Sequence, residues 1–282
     1  MSAIEEIILR NDRRGISALK PFLADDFCTE AAQYILDNPG SAIVCTGFYI
    51  RAAGAPETDG PPGAVFIGRA LENLGYSVIH VTDSFSSPAL IGPVPADRVV
   101  EFPVTDEASS RQYADNLLKE LKPSVLVSIE RGGMTRDGLY LNMRGVDYSP
   151  YNAKLDYLFS GDVPSVGIGD GGNEIGMGNL AEEIPQFETL PDDPAVTPVD
   201  KLIIASVSNW GGYGLIAALS LLAGKNLLPS VQEEEDMIRR MVDAGAVDGV
   251  SGNKAYLVDA FSLSENGKIL AALHEVLSAH GL

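Results

Sequence analysis

Short apolar runs alternate with helix-forming segments along most of this 282-residue chain. The runs are near-continuously apolar, and we predict strands at residues 41–47, 76–82, 98–102, 124–130, 164–168 and 201–206. Strands that are apolar on both faces are typical of a parallel sheet buried between helices. The sequence therefore predicts an α/β fold, a mostly parallel sheet with helices on both faces in a Rossmann-like layered architecture.

The segments between these runs have helical patterns. We predict helices at residues 26–36, 64–74, 106–121, 173–181, 211–223, 231–244 and 267–279. A hydrophobic content of 45% is enough for a full core. We expect a single domain over residues 1–282, with a helical N-terminal extension through residue 38.

The charge and the termini restrict the partners that the chain can have. A net charge of −19 argues against nucleic acid and against anionic membrane surfaces as partners. No apolar run reaches the roughly 18 residues that a membrane span needs, and the first residues, MSAIEEIILRND, lack the pattern of a signal peptide. Cys28 and Cys45 form no CxxC motif, which suits free thiols in a reducing compartment. We expect a cytoplasmic protein. The sequence allows a homo-oligomer but does not determine the oligomeric state.

The segment GIGDGGNEIGMG, residues 167–178, holds six glycines and two acids and directly follows a predicted strand. Its start matches G-x-G-x-x-G, but the acid expected about 20 residues later at a strand end is missing, so we expect no nucleotide cofactor. Asp170 and Glu174 lie four residues apart and would share one side of a helix that begins here. Capping of that helix could by itself account for one of the two acids.

The segment ERGGMTRDGLYLNMRGVD, residues 130–147, follows another predicted strand and carries three arginines. Arg131, Arg136 and Arg144 are candidates to hold carboxylates through forked hydrogen bonds. Ion pairs with acids of the same loop are the alternative role for these arginines.

Acids that follow strands of a parallel sheet are expected to meet at one edge of it. We predict that one cleft holds Glu130, Asp137, Asp170 and Glu174. Carboxylate oxygens suit a divalent metal such as Mg²⁺ or Mn²⁺, so these four residues are the predicted metal ligands.

The segment SNWGGYG, residues 208–214, is predicted to open a helix after the last strand of the sheet. Ser208 or Asn209 is a candidate N-cap, and the free N–H groups there would attract an anion. We group Ser208 and Asn209 with Asn142 and Asn173 as candidate substrate-binding residues. Packing against the sheet is the alternative role for Trp210 and its neighbours.

Four motifs occur in a specific order along the chain: SIERGGMTRDGLYLNMRGVD, LDYLF, GIGDGGNEIGMG and SNWGGYGL. Together they resemble the C-terminal domain of the D-glutamate cyclase family, over most of the chain from the first glycine-rich loop onward. The resemblance implies a carbon–oxygen lyase of D-amino acid metabolism that dehydrates D-glutamate to 5-oxo-D-proline.

Lactam formation needs a base for the ammonium group and positive charge for the carboxylates. We expect the base to be Asp170 or Glu174, with Arg136 polarising the γ-carboxylate and with Arg131 and Arg144 binding the substrate. A bound divalent ion would lower the pKa of both acids, so the roles of base and metal ligand compete. The alternatives are a metal-dependent phosphatase or hydrolase that acts on a phosphate ester with the same acids, and a non-catalytic small-molecule-binding domain.

Overall fold

The structure is a computed structural model that describes residues 3–282. Its strands are β1 Ser41–Gly47, β2 Tyr49–Ile50, β3 Ala55–Pro56, β4 Ser77–Thr82, β5 Val99–Glu101, β6 Val125–Arg131, β7 Ser165–Gly169, β8 Lys201–Ile204, β9 Leu257–Val258 and β10 Phe261–Ser262. Six of them form one parallel sheet in the order β5-β4-β1-β6-β7-β8. The other four make two short antiparallel pairs, β2 with β3 and β9 with β10.

Helices cover both faces of this sheet. They are α1 Ala3–Ile8, α2 Phe27–Leu36, α3 Pro61–Asn73, α4 Glu107–Leu121, α5 Ser208–Ala223, α6 Val231–Asp243 and α7 Leu263–Ala279. Because successive strand residues point to opposite faces, Ala42 and Val44 pack in the larger core with α2, α3 and α5, while Ile43 and Cys45 pack in the smaller core with α4. The predicted layered α/β class is thereby confirmed.

The N-terminal segment through residue 38, predicted as a helical extension, is not separate from the body of the fold. Helices α1 and α2 contribute Ile8 and Cys28 to the larger core, and both side chains contact the position where a Cβ would stand on Gly214 of α5. Residues 1 and 2 of the predicted extension lie outside the described residues.

The helix predicted for residues 173–181 is wrong. Glu174 instead forms an isolated antiparallel bridge with Gly132, and a short 3-10 helix covers Met177–Leu180. Gly176 has a φ of 107°, outside the range of an α-helix, so the backbone cannot continue a helix through it. The glycine-rich segment is therefore a folded-back turn rather than the start of a helix.

Helix α5 begins at Ser208, three residues before the predicted start, so the glycines of SNWGGYG lie inside its first turns. A Cβ on Gly211 would lie 2.6 Å from Ile168 Cγ2, and one on Gly212 would lie 2.9 Å from Ile129 Cδ1. These glycines allow α5 to approach β6 and β7 more closely than larger residues would. Trp210 is fully buried and donates through Nε1 to Asn266 Oδ1 at 2.7 Å, which confirms its packing role.

The sheet order has a switch point between β1 and β6, which lie side by side at its centre. From β1 the chain runs outward through β4 and β5, and from β6 it runs the opposite way through β7 and β8. Loops that leave neighbouring strands in opposite directions open a crevice beyond their carboxyl ends, where ligands bind in open α/β sheets. The fold thus points to the loops after β1 and β6.

One buried carboxyl away from this crevice makes stability depend on pH. Burial raises the pKa of Glu234 from its ordinary 4.5 to about 8. The unfolded chain would lose this proton near pH 4.5 and the folded chain only near pH 8, so stability is full below pH 4.5 and falls as the pH rises to 8. We expect Glu234→Gln to reduce this fall, by up to about 1.4 kcal/mol per pH unit.

Urea unfolding of both proteins at several pH values measures the effect. The difference in unfolding free energy between wild type and variant should be constant below pH 4 and should grow from pH 5 to 8. A difference that stays the same from pH 4 to pH 8 would show that Glu234 is ionised in the fold.

Candidate functional site

A cavity of about 950 Å³ opens at the switch point of the sheet. Its walls come from the loops after β1, β6 and β7, from the turn at residues 249–252, and from residues 13 and 14 near the N-terminus. The loop after β1 and the late turn are joined, since Glu57 forms a parallel bridge with Val247 and Thr58 N donates to Val247 O. Segments that are far apart in sequence therefore close around one space.

Glu130 reaches this cavity because it sits on an irregularity at the end of β6. The pairing of β1 with β6 passes from Thr46–Ile129 to Gly47–Arg131, so Glu130 has no partner in the register. Its φ of 42° is left-handed, an uncommon conformation for a residue with a side chain. The carboxylate is nearly buried, lines the cavity and accepts a hydrogen bond from Ser208 Oγ at 2.6 Å.

Asp59 holds the start of helix α5. Its carboxylate accepts from Ser208 N at 2.9 Å and from Asn209 N at 2.8 Å. Asn209 Oδ1 in turn accepts from the N–H groups of Gly60 and Gly63. The predicted anion site at this helix start is thus filled by the protein's own carboxylate, and Ser208 and Asn209, predicted to bind substrate, are fully buried in this network.

Asp170, which directly follows β7, is fully buried on the wall of the cavity. One of its oxygens forms an ion pair with Arg14 Nη1, while Nη2 of the same guanidinium lies 2.8 Å from Asp259 Oδ2. Asp170 Oδ2 has no hydrogen-bond partner among the described residues. Arg14 therefore joins the turn after β7 to the turn before β10, across the inner end of the cavity.

Asp12 fixes the backbone that carries Arg14. Its Oδ1 accepts from the N–H groups of Arg14 and Gly15 at 3.1 and 2.7 Å, and its Oδ2 accepts from Ser17 N at 2.8 Å. Burial of Asp12 alone would raise its pKa, but these hydrogen bonds outweigh it and the pKa is lowered. Asp12 is thus held as a carboxylate, and Arg14 enters the cavity from a preformed turn.

The buried carboxyls share a strongly negative environment. Burial is the largest cause that raises the pKa of Glu130, and Glu174, Asp59 and Glu57 add to it. Burial likewise raises the pKa of Asp170 well above its ordinary value, although Arg14 opposes the shift. Burial also raises the pKa of Asp59, from its ordinary 3.8 to about 7. For Asp170, acids distant in sequence (Glu130, Asp259 and Asp59) add to the effect of burial.

Glu174, predicted as a base or metal ligand, has another role in the structure. Its carboxylate accepts the N–H groups of Gly171 and Gly172 at 2.7 and 2.8 Å, and that of Asp170 at 3.2 Å. It is fully buried, and it holds closed the turn that carries Asp170. Glu174 thus orients the turn on which Asp170 sits.

The three arginines of the second motif separate in space. Arg131 is fully buried and donates to Asp83 Oδ2 at 2.5 Å and to the carbonyls of Gly47 and Ala153. Arg136 lies on the surface, where its pair with Glu182 is 77% and 81% exposed. Both arginines form ion pairs, but with acids outside their own loop and not within it as the alternative expected, and the structure places neither on the wall of the cavity.

The remaining predicted residues divide in the same way. Asp137 is exposed on a turn and lies outside the group of acids that could share a metal. Arg144, Asn142 and Asn173 all line the cavity. Asn142 Oδ1 also accepts from Arg144 N and closes the turn on which both residues sit.

Carboxylate oxygens of Asp59, Glu130 and Asp170 all lie within 4.8 Å of one another, and all three residues are buried. Hard oxygen donors at this spacing, one of them without a hydrogen-bond partner, fit a divalent cation. The group differs from the predicted set of four, since Asp59 enters it and neither Asp137 nor Glu174 belongs to it. A buried acidic group able to hold a metal is what the structure supports.

Four residues of the site were not among the predicted site residues: Arg14, Glu57, Asp59 and Asp259. Glu57 and Asp59 did carry a signal, since they lie in the polar loop after the first strand. Arg14 and Asp259 lie outside the strand-end loops, and no local pattern marks either one.

No helix of the described residues combines the length and the apolar character that a membrane crossing requires.

Comparisons with known proteins identify the family of this chain. The family model for the D-glutamate cyclase-like C-terminal domain matches residues 4–274. The mitochondrial D-glutamate cyclase of Homo sapiens is 31% identical over 293 residues, which cover 88% of this chain and 47% of the human protein. The chain thus spans about half the length of that relative.

A solved structure of an exopolyphosphatase-related protein from Bacteroides fragilis has a TM-score of 0.47 at 9% identity, over 90% of this chain and 57% of that chain. This similarity is too weak to bear on the function of the site. The family match covers nearly the whole sequence, and the resemblance drawn from four motifs is confirmed. The chain belongs to the D-glutamate cyclase-like C-terminal family.

Proposed function

We propose that this protein is a D-glutamate cyclase-like lyase that dehydrates D-glutamate to 5-oxo-D-proline. The family and the human relative, which is named for this activity, support the assignment. The observation that carries it is the pairing of opposite charges in one cavity. Buried carboxylates stand beside Arg14, and Arg51 and Arg144 lie at the exposed rim. An acidic amino acid, with one ammonium and two carboxylates, complements that distribution.

Glu130 is the best-placed base for this reaction. Glu174 is committed to three backbone amides, and Asp170 is paired with Arg14. Glu130 accepts one neutral hydrogen bond from Ser208 and lines the cavity. Its raised pKa makes it a stronger base than an ordinary glutamate once it is ionised. We therefore transfer to Glu130 the role that the sequence suggested for Asp170 or Glu174.

The steps balance without a further reactant. Glu130 takes a proton from the α-ammonium group, and the neutral amine attacks the γ-carboxyl carbon to form the C–N bond. The tetrahedral carbon then loses one oxygen as water. That oxygen receives one proton from Glu130 and one from the attacking nitrogen. Glu130 thus ends as the carboxylate that began the cycle, and arginines at the cavity balance the charge of the substrate carboxylates.

A second candidate rests on the three acids whose oxygens lie within 4.8 Å of one another. If Asp59, Glu130 and Asp170 hold Mg²⁺ or Mn²⁺, the ion would supply a Lewis acid and a water of lowered pKa. A small phosphate ester would then be the substrate of a metal-dependent hydrolase. In this arrangement Glu130 and Asp170 hold the ion and are not free to act as a base.

Purified protein incubated with D-glutamate distinguishes the two candidates. We expect 5-oxo-D-proline to accumulate, with loss of the primary amine, and we expect L-glutamate to react more slowly. The same incubation with a chelator and with added Mn²⁺ shows whether a cation takes part. Absence of 5-oxoproline under every condition, together with chelator-sensitive phosphate release from an aryl phosphate, would reject the lyase in favour of the hydrolase.

A further inference from the structure

Arg14 is the least exposed cation on the wall of the cavity among residues 3–282. Its side chain is 21% exposed, whereas Arg13 is 51% exposed and Arg51 and Arg144 are exposed at the rim. Its two terminal nitrogens form ion pairs, Nη1 with Asp170 and Nη2 with Asp259. A guanidinium has five N–H donors, so donors remain for a ligand that enters the cavity.

Arg14 and Glu130 both line the cavity, and both lie close to Asp170. A carboxylate oxygen of Glu130 lies within 4.8 Å of one of Asp170, and Asp170 is itself in contact with the Arg14 guanidinium. An α-amino acid carries an ammonium and a carboxylate on a single carbon, so these two groups must bind close together. Glu130 suits the ammonium, and Arg14 suits the carboxylate beside it.

The surroundings give this placement an electrostatic reason. Five buried acids surround the inner end of the cavity, namely Glu57, Asp59, Glu130, Asp170 and Asp259. A carboxylate that entered without a cationic partner would be repelled by each of them that is ionised. A planar fork also fixes the orientation of a carboxylate in a way that an ammonium group cannot.

We propose that Arg14 receives the α-carboxylate of the substrate and so makes the site selective for α-amino acids. This inference rests on the proposed function, since it takes D-glutamate as the substrate. It assigns a substrate-binding role to a residue that lies outside the four motifs which mark the family.

The test compares two ligands that differ only in the group at issue. 4-Aminobutyrate keeps the ammonium and the distal carboxylate of glutamate but lacks the α-carboxylate. Calorimetry gives the dissociation constants of D-glutamate and 4-aminobutyrate for the wild type, Arg14→Gln, Arg14→Lys and Arg10→Gln. Arg10 is an exposed arginine of the same N-terminal segment, so its variant controls for the change in net charge.

We expect the wild type to bind D-glutamate more tightly than 4-aminobutyrate. Arg14→Gln should weaken D-glutamate binding by roughly 10- to 100-fold, the loss expected for hydrogen bonds between charged groups, and should change 4-aminobutyrate binding little. Arg14→Lys keeps the charge but not the forked guanidinium, so its affinity for D-glutamate should lie between those of the wild type and Arg14→Gln. Arg10→Gln should retain the wild-type ratio of the two dissociation constants, that of 4-aminobutyrate to that of D-glutamate. If Arg14→Gln does not fold, the Lys variant decides the result by the same ratio.

Each other outcome has a defined meaning. An equal loss of affinity for both ligands in the Arg14 variants would make Arg14 a structural link between Asp170 and Asp259 and overturn the inference. If the wild type makes 5-oxoproline and Arg14→Gln keeps full discrimination, the inference alone fails. If the discrimination depends on Arg14 but no 5-oxoproline forms, the inference stands and the proposed reaction fails. If the wild type binds neither ligand, both fail.

Discussion

Replacing Glu130 by Gln is expected to lower kcat for D-glutamate by about 10²- to 10⁴-fold, the range for loss of a general base. Gln keeps the shape of the side chain and an oxygen that can accept the hydrogen bond from Ser208 Oγ. The fold should therefore survive, which circular dichroism and a thermal melt would show. Asp137→Asn removes an exposed acid from the same loop and is the matched control, expected to retain wild-type kcat.

The pH dependence of the rate gives the same test a second readout. A base must be ionised to act, and the pKa of Glu130 is raised by burial and by its acidic neighbours. The wild-type rate should therefore fall with decreasing pH at a higher pH than an ordinary glutamate would give, and the Gln variant should lose this acid limb. A Glu130→Gln protein with kcat within threefold of wild type would exclude Glu130 as the base.

Replacing Arg131 by Met is expected to lower the free energy of unfolding by about 3–5 kcal/mol, because it leaves a buried charge without its partner. Arg131 and Asp83 are both completely buried, and Arg131 also donates to the carbonyls of Gly47 and Ala153. Urea unfolding followed by circular dichroism measures the loss.

The double variant Arg131→Met/Asp83→Leu removes both charges at once and is expected to recover part of the stability, since an apolar pair can replace a buried ion pair. The sequence suggested instead that Arg131 binds substrate. That role would be supported by a single variant that keeps wild-type stability but loses affinity for D-glutamate.

The difference between Arg131 and Arg136 shows where sequence reasoning stops. The two residues lie five positions apart in one motif, yet one is buried in an ion pair and the other is exposed on the surface. Both occur among glycines and acids, and no local periodicity separates them. Their environments follow from whether Asp83, at the end of β4, or Glu182 is the neighbouring acid, and strand order decides that.

The sequence by itself determined the parallel α/β architecture, because strands buried on both faces must be apolar throughout and because helices must cover them. It also determined the family, through four motifs in a fixed order, and it placed Glu130 and Asp170 at the same edge of the sheet. Only the tertiary structure decided which groups meet there. Asp59 and Glu130 meet because β1 and β6 are neighbours, and the left-handed φ of Glu130 gives its carboxylate a place on the cavity wall. Arg14 joins them from a turn far away in the chain, and contacts of that kind leave no pattern in a linear sequence.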